Sequence, residues 1–332
     1  MTDLTGKLQI PNLLDWLTQE PPEPRWLIKD LLPEASLDMV SGPRKVALKT
    51  WFSMDMGITV ATGVPSPGAP NTVEHDGKRV VFFEEEGTGH DTRSRIFKLL
   101  KGRGIDPRTG EGAEALKKLE RNFLFWHHPR LKLDNPHWVS ALCKFVESEK
   151  ISLVVLDAIT YMTSGDENSK QDMAPVNDAL FSLRQIGAAV LYLVHTNKQS
   201  QREDADPDLD VRGSSVLLDA YDVHFALRRH AKEHINLLAR YRDFEEARYK
   251  VTWEFKPDRV TGLLRAVTEE SEELDKLKDL IPQLIPSVEY TPALIAKLFG
   301  MSSKTAGLVL NTLVKAGVLM PVSNGSFVKK VG

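Results

Sequence analysis

Between Leu37 and Val267 the chain alternates short apolar runs with stretches of helical period, and no other feature restricts its fold as much. The runs are Leu37–Val40, Arg79–Phe83, Asn122–Trp126, Ile151–Leu156, Ala188–Val194, Val223–Leu227, Ile235–Ala239, Tyr249–Phe255 and Val260–Ala266. Helical stretches such as Trp51–Thr62, Thr92–Lys101 and Val176–Ile186 lie between the early ones. Near-continuous Val, Leu and Ile without polar alternates suit strands buried on both faces. They predict an α/β fold, a parallel sheet with helices on each side. The last four runs follow one another closely and predict antiparallel additions. Ligands on such sheets bind at the carboxyl ends of the strands, so chemistry is expected there.

The flanks have a different character. Up to Pro24 a short amphipathic segment (Leu13, Leu14, Trp16, Leu17) precedes the stiff run Glu20-Pro-Pro-Glu-Pro24, which reads as an arm or linker, residues 1–24. Residues 25–269 form the main domain. After Glu269 a second domain, residues 270–332, is expected. It reads as a helix Glu272–Ile285, then Thr291 capping a helix with Pro292 at its first turn that runs to Phe299. A second helix, Ser302–Ala316, stops at Gly317, and strands Val318–Val322 and Ser326–Val331 flank an Asn324-Gly325 hairpin turn. That order is a winged helix-turn-helix.

With 332 residues, 42% hydrophobic and 27% charged, the chain can bury a substantial core in one large and one small domain. A net charge of -3 excludes a global attraction to nucleic acid or anionic membrane and leaves only local patches. The single cysteine, Cys143, lies in the apolar run Val139–Val146 and reads as a buried helix residue; one cysteine suits a reducing compartment. No apolar stretch reaches bilayer-spanning length and the first residues lack the shape of a signal peptide, so a soluble, cytoplasmic protein is expected.

The first strand runs into Val40-Ser-Gly42-Pro-Arg44-Lys45-Val-Ala-Leu48-Lys49-Thr50, and a helix follows at once. Strand, loop and helix with Lys-Thr at the helix start is the setting of a phosphate loop. Backbone amides face the anion, lysine neutralises charge and the hydroxyl holds Mg²⁺. The spacing departs from G-x-x-x-x-G-K-[ST], because Leu48 stands where glycine belongs and Gly42 lies one residue too far upstream. Lys45 could add charge to such a loop. Strand Ile151–Leu156 ends in Asp157, which either caps a helix or reaches a metal, since an unpaired buried carboxylate is costly. Strand Arg79–Phe83 runs into Glu84-Glu85-Glu86-Gly87, either a solvated cluster or the source of a general base. Strand Ala188–Val194 delivers His195-Thr196-Asn197-Lys198 to the same edge.

These motifs, in this order and together with Ala61-Thr-Gly63, Gly165-Asp-Glu-Asn168 and Val211-Arg212-Gly-Ser-Ser215 with Asp219, resemble RepA-like hexameric ATPases over roughly residues 25–267. The resemblance implies a RecA-like P-loop domain in which Lys49 and Thr50, with Gly42 and Lys45 in the loop, bind ATP and Mg²⁺. It implies that Asp157 is the Walker B carboxylate and that His195 senses the γ-phosphate. Glu86 takes the place of the catalytic base, with Glu85 the fallback. In related rings a late strand carries basic residues to the neighbouring subunit's nucleotide; Arg240 and Arg242 alternate on such a strand, the bland alternative being an exposed strand face. Leu48 implies ATP binding with slow hydrolysis.

Ring ATPases of this kind thread nucleic acid past channel loops, here about Thr163–Asp172 and Gln199–Val211. The second holds five acids against one arginine, which would repel phosphates and leaves gripping to Lys198 and Arg212 at its ends. From Thr291 onward there are five lysines and no acid. Lys304 opens the second helix and Lys329-Lys330 lie on the wing, as for DNA, although a winged helix can equally bind protein. Leu308, Leu310, Leu313 and Val314 read as core. So do Trp51, Phe123, Trp126 and Trp138, and His127-His128 lack a third metal ligand. Three functions stay open: an oligomeric, hexameric ATP-dependent DNA motor or loader, a nucleotide-gated DNA-binding regulator that never unwinds, and an assembly subunit without nucleotide.

Overall fold

Strand after strand of the main domain is apolar on both faces, and the sheet they build is correspondingly buried. The computed structural model describes Leu13, Thr18, Ala69 and residues 23–44, 48–67, 72–196, 216–218, 220–229, 234–267, 284–285, 288–299, 303–315, 317–322 and 326–329, Lys304 and Thr305 as backbone only. Their contacts divide the chain into two units, residues 1–246 with 251–264 and residues 247–250 with 265–332.

In the first unit the strands are β1 (Trp26–Ile28), β2 (Leu32–Pro33), β3 (Leu37–Gly42), β4 (Val80–Glu84), β5 (Phe123–His127), β6 (Leu153–Asp157), β7 (Ala189–His195), β8 (Val223–Arg229) and β9 (His234–Tyr241). Two further strands, β10 (Ala247–Phe255) and β11 (Val260–Ala266), complete a nine-stranded sheet in the order β11-β10-β9-β8-β3-β7-β6-β4-β5. The six strands from β8 to β5 are mutually parallel. β1 and β2 form a separate antiparallel pair.

The expectation that all four late strands are antiparallel additions is corrected at β8, which pairs parallel to β3 with Asp38 opposite Val223. Residues 196–222 between β7 and β8 are long enough for the crossover a parallel neighbour needs, whereas only residues 230–233 separate β8 from β9, which is antiparallel to it.

Helices cover both faces. α1 (Lys49–Thr62), α2 (Gly89–Gly102), α3 (Ala113–Asn122), α4 (Pro136–Ser148) and α5 (Lys170–Gln185) follow in chain order. One face packs Met39, Val81, Phe83, Val154, Leu156 and Tyr192 against Leu142 and Val146 of α4 and Met173, Val176, Leu180 and Leu183 of α5. The alternate residues face α1, whose Phe52 meets Phe225 of β8 edge-on at 5.7 Å. Side chains cap the helix starts: Thr88 accepts from the Asp91 amide on α2, Asn135 from the His137 amide on α4 and Ser169 from the Asp172 amide on α5. α1 has no such cap. Cys143 sits half-buried on α4 against the core.

The second unit contains β12 (Glu289–Tyr290), α6 (Pro292–Phe299), α7 (Ser303–Lys315), β13 (Leu319–Pro321) and β14 (Phe327–Lys329). β14 lies between β12 and β13, antiparallel to both. Leu310 and Leu313 are fully buried there and Val314 packs on them, but Leu308 is 48% exposed, a correction to its expected place in the core. On a helix it lies two residues from Leu310 and so faces away from it. The expected helix Glu272–Ile285 and most of the expected arm 1–24 lie outside the described residues. Among the described residues no helix is long and apolar enough to cross a membrane.

Candidate nucleotide site

Register alone assembles the site. Parallel pairing sets Gly42, the last residue of β3, opposite His195, the last of β7, and sets Glu84, the last of β4, opposite Asp157, the last of β6. Four strand ends thus deliver polar groups to one rim. α1 begins at the same rim, and the Lys49 ammonium turns back to donate a 2.6 Å hydrogen bond to the Gly42 carbonyl. Between these elements lies a cleft of about 400 Å³ lined by Arg44, Leu48, Lys49, Thr50, Trp51, Glu84, Glu86, Arg95, Asp157 and His195, among others.

Leu48 takes the left-handed conformation, φ 55 and ψ 30, just before α1. Glycine enters that region freely, and a side chain there costs about 1–2 kcal/mol. Leu48 thus adopts, just before α1, a conformation that glycine enters more easily. With no side-chain cap on α1, its first amides remain available to an anion.

The electrostatics follow from burial. Burial raises the Asp157 carboxyl to about 7; a hydrogen bond from Thr50 opposes that shift, Glu84 and Glu86 add to it, and Lys49 opposes it. Burial likewise lowers the Lys49 ammonium to about 8, against the pull of Asp157 and Glu86. His195 is lowered to about 4, by burial first and by Lys49 next, so its ring is neutral at pH 7. Both ring nitrogens of His195 and Oδ2 of Asp157 are buried with no hydrogen-bond partner among the described residues, and Nε2 of His195 stands 3.7 Å from Glu86. Each such orphan costs about 1–3 kcal/mol, a sum that a site for a polar ligand offsets when filled.

The donor set fits a magnesium ion held jointly with phosphates: a hydroxyl (Thr50), a buried carboxylate oxygen without a partner (Asp157) and no soft ligand. Magnesium characteristically takes one or two carboxylates and completes its shell with phosphate and water. Among the described residues no cluster of three or more His, Cys, Asp or Glu could hold a metal unaided.

The family model of the AAA domain matches residues 6–201, more than half of the chain. The chain belongs to the AAA domain family. Its fold is shared with a DnaB-like replicative helicase solved for its interactions with primase, at a TM-score of 0.52 and 13% identity over 68% of this chain. The match spans 58% of that helicase's length. A KaiC-like protein from the hyperthermophilic archaeon Pyrococcus horikoshii OT3 aligns over 71% of this chain and 93% of its own at 14% identity, with a TM-score of 0.44. No curated protein sequence matches the chain. The large, mostly parallel sheet with its covering helices fits a RecA-like P-loop fold.

Within this AAA domain the structure brings Gly42, Lys49, Thr50, Glu86, Asp157 and His195 together. It takes Glu85 away. The Glu85 amide donates to the Asp157 carbonyl at 2.7 Å, but its carboxylate accepts from the Leu131 amide at 3.0 Å and faces His128 at 3.5 Å. Successive residues at a strand end point to opposite faces, so Glu84 and Glu86 share the cleft side.

Arg240 and Arg242 lie elsewhere on the sheet. β9 is antiparallel to β8, which sets Arg240 opposite His224, and His224 pairs with Met39 near the start of β3. Both arginines therefore lie at the amino-terminal rim, away from this chain's cleft. There Arg240 meets Glu246 at 3.3 Å and Arg242 meets Asp222 at 3.1 Å.

Lys45, Lys198, Arg212 and Lys330 lie outside the described residues. Lys304 is the second residue of α7, and the Lys329 ammonium donates to the Leu284 carbonyl at 3.1 Å. Both His127 and His128 hydrogen-bond the Gly87 carbonyl through Nε2, at 3.0 and 2.8 Å, a structural use of the pair. Trp51 packs on Trp253 and Phe255 while lining the cleft, and Trp126, packed on Phe83, is 50% exposed.

Sequence reasoning missed Glu84, Arg44 and Arg95. Glu84 is 1% exposed, bonded to the Thr92 hydroxyl and 3.6 Å from Arg95. The alternation of a strand end would have paired it with Glu86. Arg44 contacts Glu86, 42 residues away, and no local pattern announces that.

Proposed function

We propose that this chain binds MgATP in the rim cleft and hydrolyses it slowly, as a subunit of a hexameric ring that acts on DNA in the cytoplasm. The convergence of Lys49, Thr50, Asp157, Glu86 and His195 from separate strand and helix ends on one cleft carries this reading. Lys49 and the amides at the start of α1 take the β- and γ-phosphates. Asp157 and Thr50 would hold magnesium, which supplies neutralisation of the charge on the phosphate oxygens. Glu86 polarises the attacking water, and His195, neutral and unpartnered, donates to or accepts from the terminal phosphate region. Arg240 and Arg242, remote from their own cleft, would serve only the cleft of a neighbouring subunit.

For DNA, the two helices and three short strands of the C-terminal unit support a winged helix, with Lys304 at the start of its second helix and Lys329-Lys330 on the wing. Lys198 and Arg212 would grip strand in the channel. The strained Leu48 favours a second reading, a nucleotide-gated DNA-binding regulator or loader that turns over slowly and does not unwind.

Steady-state ATPase measured with and without single-stranded DNA, beside Lys49→Ala, tests the first reading. Activity that DNA stimulates and Lys49→Ala abolishes is the expected result, and equal rates in all three would refute it. Robust strand displacement on a forked substrate would exclude the regulator.

A further inference from the structure

We infer that Arg44 is a second phosphate-binding cation of this cleft, aimed at the terminal phosphate by Glu86 and Tyr161. The inference rests on reading the cleft as a nucleotide site and adds a residue outside the phosphate-loop pattern.

A shortage of cationic donors is the starting point. Among the described residues three cationic side chains line the cleft, Arg44, Lys49 and Arg95, against four carboxylates, Glu84, Glu86, Asp91 and Asp157. A triphosphate adds several more negative charges. Lys49 is buried and already donates to Gly42, and Arg95 lies against Glu84 at 3.6 Å. Leu48 in glycine's place also puts a side chain where bare backbone amides would otherwise approach the phosphates. Of the three, Arg44 is left to meet that charge.

Arg44 has the geometry for it. It stands two residues past the end of β3, at the mouth of the loop. Its Nε donates to Glu86 at 3.0 Å, and Nη2 lies 2.9 Å from the same carboxylate oxygen and donates to the Tyr161 hydroxyl. Two partners on separate segments, the turn after β4 and the turn after β6, thus fix the guanidinium plane. Nη1 has no partner among the described residues, and the side chain is about half exposed. A planar guanidinium with directed, unspent N–H donors is the group best suited to phosphate oxygens. The other oxygen of Glu86 faces His195 at 3.7 Å, so Arg44 stands on the His195 side of the cleft, where the last phosphate belongs.

The test is calorimetric titration of the full chain with MgATP and with MgADP at one salt concentration, for wild type, Arg44→Ala, Arg44→Lys and Lys49→Ala. Losing a charge-assisted contact to the terminal phosphate should weaken MgATP about tenfold or more in Arg44→Ala while changing MgADP by less than about threefold. Arg44→Lys should recover part of the MgATP loss. An unchanged MgATP affinity in Arg44→Ala, or equal losses for the two nucleotides, overturns the inference. Should Lys49→Ala abolish binding while Arg44→Ala leaves it intact, only this inference falls. A wild-type chain that takes up neither nucleotide removes the nucleotide-site reading and the inference together.

Discussion

At the amino-terminal rim of the sheet, Asp222 accepts hydrogen bonds from Arg184 at 2.8 Å and from the Leu37 amide at 2.9 Å, and pairs with Arg242 at 3.1 Å. At the carboxyl-terminal rim, Asp157 keeps one oxygen buried and unpartnered, beside a histidine with both ring nitrogens in the same condition. The same residue types meet opposite ends of the same strands, closed into ion pairs at one and left open at the other. Asp38, on β3, is the exception at the closed end: burial pushes its carboxyl well above the usual range, and a hydrogen bond from Ser36 only partly opposes that shift. Charge satisfied by protein serves stability. Charge left unsatisfied, with a strained Leu48 and an open cleft beside it, is stability given up for a ligand.

Substitutions at the two rims should therefore separate cleanly. The largest effect is expected at Glu86: Glu86→Gln should lower kcat about 10²-fold or more, as loss of a general base does. Glu85→Gln, one residue away but turned toward Leu131, should keep kcat within about twofold by the same reasoning. Equal losses in a steady-state ATPase assay would erase the distinction between the two glutamates.

At the other rim, Asp222→Ala removes one partner from each of two arginines and the acceptor of the Leu37 amide, and should cost about 2–3 kcal/mol in a urea unfolding series. Its MgATP affinity should equal that of wild type, and a weakened affinity would show that the rims are coupled.

The smallest effect concerns pH. His195 in the folded chain is lowered to about 4 from its usual 6.5, so between those values the unfolded state binds more protons than the folded one. The contribution is full above pH 6.5 and is lost as the pH falls toward 4. Wild type should lose about 1 kcal/mol more than His195→Asn between pH 7 and pH 5, the figure allowing for partial solvent screening. Identical pH slopes for the two proteins would place the imidazole in a more open setting.

Much of the fold was legible because long Val/Leu/Ile runs admit few alternatives. All nine expected strands of the main domain appear, shifted by a residue or two. The pairs β1–β2 are three and two residues long and carry no readable period. α3 was hidden for another reason: Ala113–Asn122 is largely charged and buries only Ala115 and Asn122.

Strand direction was not legible: β8 pairs parallel to β3, and β9, antiparallel to β8, carries Arg240 and Arg242 to the amino-terminal rim. Lys49, Thr50, Asp157 and His195 were legible as residues at strand and helix ends, where polar groups break apolar runs. Their registration, Gly42 with His195 and Glu84 with Asp157, joins segments far apart in the chain, and local periodicity does not encode it.

A crystal structure of the chain with magnesium and a non-hydrolysable ATP analogue tests the central claim most directly. The analogue is expected in the rim cleft, its terminal phosphates within hydrogen-bonding reach of Lys49, and the metal beside Thr50 and Asp157. Nucleotide bound at any other place, or a cleft that takes none at saturating concentration, would contradict it.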